Sequence, residues 1–184
     1  VEPSLETSFE VLQSPWAQCS FFELFSGCCQ LSTVFSHKGV GSISIDMKYS
    51  LCHDLINADV IEVILGWLTS KCIGATWLGT PCSSWSRARH DINGGGPRSR
   101  LHIYGFPNLS DADKLRVALG NNTMRHSVRI IENCIPVFLE NLATSMLFMA
   151  PPIVRLQARA QECISDYCQY NKPWRKRTKV LAWC

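Results

Sequence analysis

Short apolar runs alternate with longer amphipathic stretches along this chain, and the alternation predicts an α/β domain with a mostly parallel central sheet flanked by helices. Ser20-Phe21-Phe22-Glu23-Leu24-Phe25 predicts a first strand, with a turn at Ser26-Gly27. Cys28 to His37 carries Leu31, Val34 and Phe35 at helical spacing and has Gly39 past its end, so it predicts a helix. Ser42-Ile43-Ser44-Ile45 alternates as a second strand that ends on Asp46. Val60, Val63, Ile64 and Trp67 give Asp59 to Leu68 one apolar helical face, ahead of a strand over Ala75 to Leu78. From Ser83 to Leu109 the chain is rich in Gly, Pro, Ser and Arg with no sustained period, which predicts one long loop of the functional kind. Ser110 with Asp113 predicts the cap of an amphipathic segment running to Cys134, broken near Gly120-Asn121-Asn122. Pro136-Val137-Phe138-Leu139 predicts a strand that ends on Glu140-Asn141. Pro151-Pro152 opens a helix through Ile164, and Thr178 to Trp183 is a final strand.

A length of 184 residues sets the expectation of one domain: an N-terminal extension over 1–18, then a core over 19–184 with a long mobile loop over 83–110. A hydrophobic share of 46% and a charged share of 18% are globular values. No apolar run reaches membrane-spanning length, so no membrane partner is expected. The polar start at Val1-Glu2-Pro3-Ser4 shows no secretory pattern, and the absence of a starting Met sets the expectation of an excised domain or a processed product. Ten cysteines sit inside apolar segments rather than in a loop-rich framework, which points to a reducing intracellular compartment, nuclear or cytoplasmic. Neither Cys28-Cys29 nor the pair Cys163 and Cys168 has a second ligand pair at zinc spacing, so no metal is expected. The net charge of +3 is small but clustered, with Arg87, Arg89, Arg98 and Arg100 in the long loop and Lys172, Arg175, Lys176, Arg177 and Lys179 near the end.

In an open parallel sheet, ligands bind beyond the carboxyl ends of the strands. Ser26-Gly27, Asp46, Pro81-Cys82 and Glu140-Asn141 all fall at such ends. Pro81 restricts its own φ and the residue before it, so Cys82 leaves the strand in a limited set of directions. Taken alone, Cys82 reads equally well as a nucleophile or as one more buried thiol. Gly27 as a helix-entry turn, Asp46 as a cap and Glu140 as a solvated strand end are each ordinary too. Their joint placement on one sheet edge favours a site.

The ordered set Phe22-Glu23-Leu24-Phe25-Ser26-Gly27-Cys28-Cys29, then Asp46, then Gly79-Thr80-Pro81-Cys82-Ser83-Ser84-Trp85-Ser86, then Glu140-Asn141-Leu142 resembles the DNA cytosine-5 methyltransferases. That family carries D-L-F-x-G-x-G-G, an acidic residue after the second strand, G-x-P-C-Q-x-F-S and E-N-V. The resemblance covers about residues 20 to 183 and implies a Rossmann-like, S-adenosylmethionine-dependent methyltransferase fold. It implies that Cys82 adds to C6 of cytosine in DNA, that Glu140 contacts the ring N3 and exocyclic amine, and that Asn141 positions them. S-adenosylmethionine is the implied methyl donor and S-adenosylhomocysteine the product. Phe25, Ser26, Gly27 and Cys28 would wrap the methionine part, Asp46 the ribose, and Met47, Asp54 and Pro81 would complete the cofactor contacts. Tyr170 to Thr178 resembles the family's Y-G-x-P-Q-x-R-x-R segment, which makes Arg175 and Arg177 candidate catalytic residues out of register. The implied partner is nucleic acid, DNA ahead of RNA, held through Arg87, Arg89, Arg98, Arg100 and the basic C-terminal segment.

Departures accompany the matches: Glu23 replaces the opening Asp, Cys29-Gln30 replaces the Gly-Gly pair, and Ser83 replaces Gln. The chain stops at Cys184, where relatives continue into a target-recognition region, so recognition is expected from a separate chain or domain. Two alternatives stay open. One is an RNA cytosine-5 methyltransferase, and the other a catalytically degenerate module that binds nucleic acid or protein. Retention of both Cys82 and Glu140 argues against the second.

Overall fold

Six strands and four α-helices follow one another in the computed structural model, which describes residues 21–70, 73–87, 96–134, 136–170, 173 and 175–184. The expected 1–18 extension and Arg89 lie outside the described residues. So do 88–95 of the long loop, and Lys172 and Trp174 of the basic segment. The chain divides into two units, the first formed by Val1–Gly79 with Arg129–Val137 and the second by Thr80–Val128 with Phe138–Cys184.

In the first unit, β1 (Phe21–Leu24) pairs in parallel with β2 (Ser42–Ile45) on one side and β3 (Ala75–Leu78) on the other. All four residues of β1 are buried, as a central parallel strand requires. Glu23 would be a costly occupant there, but its Oε2 accepts the backbone N–H of Ser32 at 2.8 Å and the Ser32 hydroxyl at 2.5 Å. Those bonds tie β1 to α1 (Gln30–His37). Helix α2 (Ala58–Thr69) starts at Asn57, whose side chain caps the Asp59 N–H at 2.9 Å. It buries Val60, Ile61, Ile64 and Leu68, a stripe at helical spacing. Phe22, Leu24, Ile61, Ile64 and Leu78 are fully buried, each contributing roughly 1.5–3 kcal/mol relative to exposure.

Helix α3 (Asp111–Asn133) begins with the expected cap, because the Asp113 N–H reaches Ser110 Oγ at 3.2 Å and that hydroxyl donates to Asp113 Oδ2 at 2.9 Å. It runs unbroken through Gly120-Asn121-Asn122, against expectation. Gly120 is buried, and a Cβ there would press on Ser84 Oγ and lie 3.0 Å from both Arg98 Nη2 and Trp85 Nε1. The glycine therefore admits close neighbours rather than ending the helix.

In the second unit, β4 (Val137–Leu142), whose first residue belongs to the first unit, is followed in sheet order by β6 (Arg177–Trp183) and then β5 (Gln161–Asp166). Strand β4 runs longer than the sequence suggests and contains Glu140 and Asn141. Its alternation buries Asn141 with Val137 and Leu139 and leaves Glu140 on the other face. The helix expected through Ile164 stops as α4 (Pro151–Gln157), and Gln161–Asp166 pairs antiparallel with β6 instead. Most of β5 is exposed, so it carries no apolar alternation to read, and β6 supplies its backbone partners. Trp183 Nε1 donates to the Leu156 carbonyl at 3.0 Å, fastening α4 to β6. The architecture is thus α/β with parallel strands and flanking helices, as the alternation predicts.

Candidate active site

Strand β3 delivers the chain to Gly79, whose N–H donates to the Leu24 carbonyl at 3.0 Å. A Cβ on Gly79 would sit 2.8 Å from the Phe25 carbonyl oxygen, so this close approach admits glycine alone. Thr80 follows, 2% exposed, with its hydroxyl 2.8 Å from that of Ser127 on α3. The Thr80 carbonyl accepts Asn141 Nδ2 at 2.7 Å. Beyond Pro81, the Cys82 carbonyl accepts the N–H groups of Trp85 at 3.0 Å and Ser86 at 2.8 Å, closing a turn that leaves the Cys82 side chain exposed. A thiol on a turn clamped on both flanks is presented to an incoming group with little reorganisation left to do.

The same Asn141 stands next to Glu140, so one strand carries both the clamp on the cysteine turn and a carboxylate. The Glu140 side chain is 17% exposed, and its Oε1 accepts Lys176 Nζ at 3.2 Å. Lys176 also donates to the Tyr167 hydroxyl at 3.4 Å and lies 4.8 Å from that ring's centroid. Burial works against its ammonium as the largest single influence, yet the charge and hydrogen bonds of Glu140 and Tyr167 together raise its pKa above the ordinary lysine value.

Lys176, rather than the Arg175 and Arg177 that the resemblance singles out, is the basic residue that meets the carboxylate. Arg175 places its Nη2 3.3 Å from Asp166 Oδ2, which raises its pKa further, and Arg177 opens β6 as an exposed residue. Consecutive residues of an extended segment alternate between faces, so Lys176, half-buried between two exposed arginines, is the one that meets the carboxylate on β4, and composition does not reveal that alternation.

The long loop contributes a lock. Arg98 is 5% exposed and stacks on the Trp85 ring at 3.5 Å. Its guanidinium donates to the Ser84 carbonyl and hydroxyl, to the carbonyls of Ile103 and Val117, and to Asn121 Oδ1. Every acceptor is neutral, and desolvation pulls its pKa down to about 10. Arg98 thus fastens the cysteine turn to α3, while Arg87 and Arg100 remain exposed. Ser84, Ser86, Arg87, Ser99, Arg100 and Met146 line a cavity of about 490 Å³ beside that turn.

The first unit holds Phe25, Ser26, Gly27, Cys28, Asp46, Met47 and Asp54, and the second holds Pro81, Cys82, Glu140, Arg175 and Arg177. In the first, the loop after β1 is bound to the residues after β2. Gly27 N–H donates to Asp46 Oδ2 at 2.9 Å, Lys48 N–H donates to Asp46 Oδ1 at 2.9 Å, and the Tyr49 hydroxyl donates to the Gly27 carbonyl at 2.8 Å. Each Asp46 oxygen keeps a further lone pair. Met47 is 52% exposed, and the Gly27 Cα faces open space. Asp54 is occupied in its own turn, accepting the Ile56 N–H at 2.9 Å. Among the described residues, no His, Cys, Asp and Glu grouping suits a metal ion.

These features define an α/β protein with an exposed cysteine on a clamped strand-end turn and a lysine-paired glutamate on the strand that clamps it. No family model matches the chain, and no curated protein matches it. Among solved structures, it is similar to the Dnmt2 methyltransferase of S. pombe, at 12% identity and a TM-score of 0.47, over 89% of this chain and 49% of that one. It is also similar to the methyltransferase EhMeth of Entamoeba histolytica, at 13% identity and a TM-score of 0.45, over 90% of this chain and 52% of that one. The chain therefore spans about half the length of these structures. Among the described residues, no helix is long and apolar enough to cross a membrane.

Proposed function

We propose that the chain is the catalytic core of a cytosine-5 methyltransferase acting on DNA with S-adenosylmethionine as methyl donor. The observation that carries this reading is the Asn141 Nδ2 bond to the Thr80 carbonyl, which couples the Cys82 turn to the strand bearing Glu140. The Cys82 thiolate adds to C6 of an extruded cytosine, which makes C5 nucleophilic, and the later loss of the C5 proton releases the thiol. Glu140 accepts from the exocyclic amine and shares a proton with ring N3, which gains electron density as the thiolate adds, and Lys176 fixes the carboxyl group in place.

The donor set after β1 and β2 fits the cofactor. Asp46 retains acceptor capacity for the ribose hydroxyls, Met47 offers an exposed apolar face for adenine, and Phe25 to Cys28 offer backbone groups around an open glycine. When bound, the cofactor supplies an electrophilic methyl group. Arg87 and Arg100 contact phosphates, while base choice comes from a separate domain or chain. Extruding a base costs about a few kcal/mol, a penalty that such phosphate contacts offset.

The test is trapping on oligonucleotides carrying 5-fluorocytosine, in DNA and RNA forms, with cofactor present. A denaturant-stable adduct on DNA that Cys82→Ser abolishes is the expected result. An adduct on RNA alone moves the substrate. No adduct on either, together with no cofactor binding by calorimetry, overturns the reading and leaves a binding module.

A further inference from the structure

The cavity beside the cysteine turn lies wholly within the second unit, and its wall includes three arginines, Arg87, Arg98 and Arg100, and no carboxylate. The described carboxylates of that unit are Asp111, Asp113, Glu140, Glu162 and Asp166, and each is ion-paired with a lysine or arginine from outside the cavity. Arg98 spends its N–H groups on neutral oxygens and is 5% exposed, so a full positive charge is buried there without a counter-charge. Such a charge is costly until an opposite one is brought to it. Arg87 Nη2 reaches only the Met149 sulfur at 3.3 Å, a weak acceptor for a guanidinium. The Arg100 side chain has no hydrogen-bond or ion-pair partner among the described residues.

Two serine hydroxyls of the same wall have a proton left to give. Ser84, 2% exposed, accepts Arg98 Nε at 3.3 Å and Nη2 at 2.8 Å on its Oγ, and Ser99 Oγ accepts the His102 N–H at 3.1 Å. Both oxygens are therefore occupied as acceptors, while neither O–H finds an acceptor among the described residues. Leaving a donor unused is unfavourable at a site as buried as Ser84. Unspent protons and unpaired guanidiniums in one wall are satisfied together by one kind of group, an acceptor that carries negative charge.

At about 490 Å³ the cavity has room for far more than an inorganic anion, since pockets of roughly 300–1,000 Å³ take whole small molecules. Pro97 and the thioether of Met146 give its wall an apolar stretch on which a flat ring can pack. The arginines set the charge of the occupant. A phosphodiester inside a strand carries one negative charge, whereas a phosphomonoester carries about 1.5 to 2 at pH 7 on three free oxygens. We propose that this cavity binds a nucleoside 5′-monophosphate group, its phosphomonoester held by Arg87, Arg100 and the Ser84 and Ser99 hydroxyls in the field of Arg98. A free mononucleotide and the phosphorylated 5′ end of a strand present the same group. Either one draws Arg87 and Arg100 away from the backbone phosphates assigned to them above and so restrains substrate binding, a consequence that alone rests on the methyl-transfer reading.

Calorimetric titration of the wild-type protein with guanosine 5′-monophosphate, its methyl phosphodiester, guanosine and inorganic phosphate tests the site. Guanine is the base of neither the proposed methyl donor nor the proposed target, which keeps the probe away from both. The monophosphate should bind at least about tenfold more tightly than each of the other three. Equal affinity for the methyl ester, or no binding of the monophosphate at millimolar concentration, overturns the proposal. The Arg87→Ala, Arg100→Ala double variant changes two exposed positions, and with its fold checked by circular dichroism it should lose at least about tenfold in affinity for the monophosphate. An unchanged affinity also overturns the proposal. Once the monophosphate binds, two oligonucleotides that differ only in a 5′-phosphate or a 5′-hydroxyl separate the sources. Tighter binding of the phosphorylated strand, displaced by the monophosphate, assigns the cavity to strand ends, and equal binding assigns it to the free nucleotide. No titration here needs a methyl donor, so failure of 5-fluorocytosine trapping and failure of this site are told apart.

Discussion

Replacing Gly120 with alanine sets two effects of known sign against each other. In an open helix the change stabilises by about 1 kcal/mol, because alanine is the best helix former and glycine among the worst. At this position the new methyl group would meet Ser84 Oγ, Arg98 Nη2 and Trp85 Nε1. Ser84 cannot easily give way, since its hydroxyl accepts from Arg98 Nη2 at 2.8 Å and Nε at 3.3 Å. Overpacking of this kind costs about 1–3 kcal/mol. A displaced Trp85 would also lose its 3.2 Å bond to the Gly120 carbonyl, leaving a buried donor that costs about 1–3 kcal/mol more. Net destabilisation of about 1–5 kcal/mol follows, centred near 3, read as a lower urea midpoint at unchanged slope. Ser84→Ala removes the atom the methyl group meets, so the double variant should be more stable than the sum of the single costs predicts, by about 1 kcal/mol or more. A Gly120→Ala protein as stable as wild type, or costs that add without coupling, would refute the lock between the cysteine turn and α3.

Arg98→Ala strips the neutral acceptors at Ser84, Ile103, Val117 and Asn121 of their partner and should cost more than about 3 kcal/mol in denaturant titration, whereas Arg100→Ala should stay within about 0.5 kcal/mol. On the proposed substrate, Arg100→Ala should instead reduce the slope of log affinity against log salt by about one; an unchanged slope removes it from the interface. Lys176 has a folded pKa raised above its ordinary 10.5, so the stability it adds is fully present below that value and disappears as pH rises through the folded value. The stability gap between wild type and Lys176→Met should therefore hold from neutral pH to about pH 10 and close above it, and a gap independent of pH up to 12 would contradict the ion pair with Glu140.

Much of the fold was legible because the apolar periods are local. Strands β2 and β3 fall on their expected residues, and α2 differs by a residue at each end. Strand β5 was not legible, since an exposed edge strand owes its form to a partner rather than to its own pattern. The break expected at Gly120 is absent for a related reason. A glycine inside a helix signals a stop unless one knows that Trp85 and Arg98 pack against it. At the candidate site the order of motifs singled out Cys82, Glu140 and Asn141, whose tether to the cysteine turn is a contact between residues distant in sequence. Arg98 read as one more basic loop residue, but its burial turns it into a structural bolt. Lys176 stands between two arginines in the sequence, and only its half-buried position against Glu140 on β4 distinguishes it.

The hydrogen bond from Asn141 to Thr80 joins residues 61 positions apart. Loop closure over that span precedes any reward from the contact, so the tether to β4 is the last anchor of the cysteine turn to form, after those from Ser127 and Arg98. On a ribosome the Cys82 thiol emerges well before the asparagine that completes its restraint, and the nascent chain carries an incompletely anchored nucleophile for that interval. Any truncation ending ahead of Asn141 would make that interval permanent. Proteolytic susceptibility near Cys82 should accordingly fall in one step as synthesis passes the end of β4, which makes this bond a marker of when the chain acquires its chemistry.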